Sequence, residues 1–72
     1  MKLTLARAKY AVKVAMKDLA IAGSVKSAEW LSTGPCLTYE KNPKRFRTAK
    51  VYGMGFYPRL VTLYEDGGWD IR

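Results

Sequence analysis

Leu5, Ala8, Val12, Ala15, Leu19 and Ala22 recur at alternating spacings of three and four, the period of one helical face, and predict a helix from Thr4 to Ala22. Gly23, free to take a positive φ, is the expected stop. Ser24 is the expected cap of a short second helix running through Leu31. A weaker strip of Leu3, Tyr10, Val14 and Ile21 lies across the wheel and is available to a sheet edge or to another subunit.

Beyond Gly34 the pattern changes to short runs rich in aromatic and β-branched residues: Cys36 to Glu40, Arg45 to Phe56, Arg59 to Tyr64 and Trp69 to Arg72. Asn42 and Pro43, then Pro58, then Glu65-Asp66-Gly67-Gly68 separate them. The Asp-Gly pair fits a type I′ turn, which sets Tyr64 opposite Trp69. In that register Leu60, Thr62, Tyr64, Trp69 and Ile71 share a face and cushion the helix, with Arg59, Asp70 and Arg72 on the other. The expected fold is α+β, one long N-terminal helix plus a short second helix packed on a three- to four-stranded antiparallel sheet. No repeat, low-complexity run or linker divides the chain, so residues 1–72 are expected to form a single small basic domain.

With 72 residues, such a domain buries only about 60% of its unfolded surface, and its stability is modest. One cysteine and no histidine leave no disulfide within a subunit and none of the usual zinc ligand sets, so self-association, as a homodimer, or a partner becomes a way to gain stability. Cys36 reads as a small apolar residue in a reducing compartment. Charges at Lys2, Arg7, Lys9, Lys13, Lys17 and Asp18 interrupt any membrane span or signal core, and the expected location is the cytoplasm.

The formal net charge of +7 is unevenly distributed. Between Lys41 and Lys50 stand Lys41, Lys44, Arg45, Arg47 and Lys50 with no carboxylate, and the stretch to Arg59 holds a sixth cation and, in all, the rings of Phe46, Tyr52, Phe56 and Tyr57. Cations neutralise phosphates and ring faces stack on bases, so the combination suits nucleic acid. On the helix, Lys9, Lys13 and Lys17 repeat at i, i+4 and i+8, each like-charge pair costing about 0.2–0.5 kcal/mol in isolation. No acid precedes Asp18 to offset them, which favours an anion meeting the row, although such a face also serves plain solubility. The expected binding residues are therefore Lys9, Lys13, Lys17, Lys41, Lys44, Arg45, Phe46, Arg47, Lys50, Tyr52, Tyr57 and Arg59. Trp30, Tyr64 and Trp69 are expected to be structural.

The run Tyr52-Gly53-Met54-Gly55-Phe56-Tyr57 lacks the basic residue before the first glycine and the aromatic between the glycines that mark RNA-recognition strands, and it assigns no family. Catalysis finds little footing without histidine, the serines sit at caps and turns, and Glu65, Asp66 and Asp70 are explained by a hairpin. A histidine-free ribonuclease using lysine, arginine and tyrosine is the one enzymatic route left. No cofactor or metal is expected. The leading expectation is a non-enzymatic nucleic-acid binder of DNA or RNA. Its alternative is a small inhibitor or adaptor, of the kind phages and mobile elements encode, covering an acidic or nucleic-acid-binding surface of a host protein. Membrane-surface binding through the basic helix ranks below both, because its apolar face is mostly alanine.

Overall fold

The structure, a computed structural model, describes residues 2–72. Helix α1 spans Leu5–Asp18, followed by strands β1 (Ser24–Trp30), β2 (Cys36–Leu37), β3 (Arg45–Met54), β4 (Arg59–Tyr64) and β5 (Trp69–Ile71). All pairings are antiparallel, in the order β1-β3-β4-β5, with β2 beside the start of β3. The α+β class is as expected. The second helix is not: Ser24 to Trp30 is an edge strand, and the sheet has five strands instead of three or four.

Thr4 caps α1 with a hydroxyl that accepts from the Arg7 amide at 3.2 Å, satisfying one donor the first turn leaves open. The helix stops four residues before the predicted end. Ala20, with φ +53°, takes the left-handed position expected of Gly23. Its N–H donates to the Lys17 carbonyl at 3.2 Å and the Ile21 N–H to the Met16 carbonyl at 2.9 Å, the paired bonds of a Schellman turn. Ile21 is thereby folded back towards the last helical turn, while Leu19 is left 70% exposed.

The core lies between α1 and one face of the sheet: Ala8, Ala11, Val12 and Met16 meet Ala49, Val51, Val61 and Leu63. Three of these eight are alanine, so the helix approaches closely but little apolar volume is buried. The apolar stripe is rotated from the predicted one, since Ala11 and Met16 are buried and Leu19 and Ala22 are exposed. Of the second strip, Tyr10 packs at the β5 edge, where it meets Trp69 edge-on with centroids 6.1 Å apart.

A single turn explains why the expected β4 face is inverted. Gly67, with φ +102°, donates to the Tyr64 carbonyl at 3.1 Å, and Tyr64 donates to the Gly68 carbonyl at 2.9 Å, giving a three-residue loop that ends in a glycine bulge. Trp69 therefore pairs with Leu63 instead of Tyr64. A one-residue slip exchanges faces: Val61 and Leu63 turn to the core, and Leu60, Thr62 and Tyr64 turn to the opposite side, with Asp70 and Arg72. Among the described residues no helix covers that side of the sheet, where Thr48 and Thr62 share a hydrogen bond of 3.1 Å across β3 and β4. The molecule is accordingly flat, 39 × 24 × 18 Å.

Candidate functional site

The cations concentrated in the sequence are dispersed by the alternation of β3. Arg45 and Arg47 share the helix side with Ala49 and Val51, whereas Phe46, Lys50 and Tyr52 share the open side with Thr48. Arg45, Arg47 and Lys50 thus do not form one basic surface. Several are also engaged within the chain. Lys44 pairs with Asp66 at 3.0 Å, and the hydrogen bond and charge of that carboxylate hold its ammonium above the usual 10.5. Arg45 stands 3.7 Å from the Glu65 carboxylate. Arg47 lies 4.2 Å over the Trp30 ring and donates to the Ser32 carbonyl at 2.8 Å, its Nε buried without a partner. Lys41 is exposed in the loop between β2 and β3.

The open face of the sheet carries rings, and carboxylates come with them. Tyr52 donates its hydroxyl to Glu29 at 2.6 Å and Tyr64 to Asp70 at 2.9 Å, and each bond raises its phenol above the usual 10. Phe46 packs at a tilt against Tyr64, centroids 6.2 Å apart, and Lys50 lies 5.6 Å over Tyr52. Across this face Glu29 opposes Lys50, and Asp70 and Arg72 follow each other on the β5 side, so opposite charges balance. Cys36, facing Phe46 across β2 and β3, is exposed instead of packed as a small apolar residue.

At the C-terminal end of α1 the arrangement differs. Three grooves open around Ile21, the residue placed by the Schellman turn. Lys13 and Lys17 line the first, about 460 Å³, with Met16, Gly23, Ser24 and Val25. Arg59 and Tyr57 line the second, about 450 Å³, with Gly55 and Phe56; Arg59 also borders the third beside Val12, Leu19 and Ile71. No carboxylate lines any of the three. At 100° per residue Lys9 continues the row of Lys13 and Lys17 along the helix, and among the described residues no ion pair engages these three lysines or Arg59.

The close approach of β1 to the end of β3 holds this region together. Gly23, with φ +149°, sits against the Met54 carbonyl, and Gly55, with φ +88°, leaves room for only 2.5 Å between an added Cβ and the Ala22 carbonyl. Any side chain there would drive the two segments apart. Four of the expected binding residues, Lys13, Lys17, Tyr57 and Arg59, thus converge around Ile21, with Lys9 in line. Lys41, Lys44, Arg45, Phe46, Arg47, Lys50 and Tyr52 lie elsewhere. Ile21, Met16 and Phe56 also line the grooves; the sequence marked Ile21 only as part of a second helical strip and Phe56 only as one ring of the basic run, and it held no sign of Met16, because their meeting depends on the Schellman turn and on how β1 and the end of β3 reach α1.

No protein-family model, curated protein or solved structure matches this chain. Among the described residues no helix is long and apolar enough to cross a membrane, and no three His, Cys, Asp or Glu side chains gather as a metal-ligand set.

Proposed function

We propose that the protein is a non-enzymatic nucleic-acid binder that grips phosphates along the α1 row of Lys9, Lys13 and Lys17 and, with Arg59, at the C-terminal end of that helix. The supporting observation is the convergence of three of these cations, without a carboxylate, on grooves that meet at Ile21. A like-charged row destabilises the free helix, and an anion seated on it removes that cost. Phosphates release their counterions when they meet such a row, so affinity falls steeply with salt. Four engaged phosphates give a log-log slope of roughly −3 to −4, measurable by titrating a labelled oligonucleotide at several salt concentrations. A flat response contradicts the proposal.

A second reading, an inhibitor or adaptor seated on an acidic host surface, draws support from the apolar groups exposed around the same region, Leu19, Met54 and Tyr57. Nuclease treatment separates the two: a complex with a host protein that survives digestion favours the adaptor, and a complex that dissolves favours nucleic acid.

A further inference from the structure

We propose that the groove beside Arg59 accepts an unstacked base, making single-stranded nucleic acid the preferred ligand; this rests on the nucleic-acid reading above. Lys13 and Lys17 border the groove on one side of Ile21, and Arg59 borders the groove on the other. Ile21 and Phe56 supply an apolar lining, and the Tyr57 ring, 87% exposed, stands next to them.

A duplex offers phosphates outside and keeps its base faces stacked within, so it meets the lysines but leaves the apolar lining and the tyrosine ring in water. A single strand uses both, since every base has a face that stacks on an aromatic ring regardless of sequence. The charge is complementary throughout, because the lining carries cations and no carboxylate. The rings on the open sheet face lack this property. Tyr52 and Tyr64 are tied to Glu29 and Asp70, which would repel the phosphates flanking a base stacked there.

Fluorescence anisotropy of the full chain with an oligouridylate, an oligothymidylate and a duplex of equal length, all at one low salt concentration, tests the inference. The expected result is tighter binding of single strands by about tenfold, a gap that Tyr57→Ala closes and Tyr57→Phe preserves, while duplex affinity stays unchanged in both variants. Tyr57 is exposed and outside the core, so neither variant threatens folding. Equal affinity for single strand and duplex, unaltered by Tyr57→Ala, overturns the inference and leaves the nucleic-acid reading standing. Failure to bind any of the three overturns both. Polyglutamate binding as tightly as the single strands also overturns the inference, in favour of an acidic protein segment.

Discussion

The two ends of the helix side are both rich in cations, yet they are prepared for different work. At the N-terminal end of α1, Lys2, Arg45 and Arg47 border a hollow of about 390 Å³ that also contains Glu65, and Arg47 is spent on Trp30 and Ser32. At the C-terminal end Lys13, Lys17 and Arg59 surround apolar floors with no acid among them. Density of charge along the chain marks the first end; charge left unsatisfied by the fold marks the second. A cation already paired or stacked must break those contacts before it can hold a phosphate, which is why the proposed site lies at the quieter stretch of sequence.

The strongest way to break this contrast is to disturb the C-terminal end alone. Gly23→Ala places a methyl group against the Met54 carbonyl at a φ that L-residues avoid, and is expected to destabilise the fold by about 2–4 kcal/mol. Gly34→Ala, with nothing within 4 Å of the added carbon, is its control and should be near neutral. Urea unfolding of both variants gives the comparison. Ala20→Gly sharpens the same end in the other direction: relieving the positive φ of a non-glycine residue is expected to stabilise by about 0.5–1 kcal/mol while keeping Ile21 in place. A drop in stability would mean the Schellman turn is not as described.

The smallest effect belongs to the open sheet face. Because the hydrogen bond to Glu29 raises the Tyr52 phenol above 10, its contribution to stability is fully present below pH 10 and is lost as pH rises through the folded value. Glu29→Gln should bring that ionisation back towards 10 in a spectrophotometric titration, leaving oligonucleotide affinity unchanged. A change in affinity would return the open face to consideration as the binding surface.

The α+β class, the first helix and the four later strands, β2 to β5, were legible because their signals were local: a three-four spacing, aromatic runs and glycine- or proline-bearing turns. β1 was not, and its bulge gives the reason. The register shifts between Val25 and Ser27, so the inward residues are Val25, Ala28 and Trp30, separated by three and then two. Three is a helical spacing, Ser24 resembles a cap, and Lys26, Ala28 and Glu29 are good helix formers, so local preference pointed away from a state that pairing with β3 imposes. The hairpin register failed on a comparably small detail, Gly67 acting as a bulge instead of the second residue of a two-residue turn. The candidate site was half legible: its cations could be named, but their grouping around Ile21 depends on how β1 and the end of β3 meet α1.

Salt dependence of oligonucleotide affinity, compared between Lys13→Ala/Lys17→Ala and Lys44→Ala/Arg45→Ala, weighs the two ends directly. Both pairs remove two positive charges, so net charge alone predicts the same effect. If the C-terminal end of α1 holds the phosphates, the first pair flattens the slope by about 1.5–2 and the second leaves it unchanged. Equal flattening by both, or flattening only by the second, contradicts this assignment.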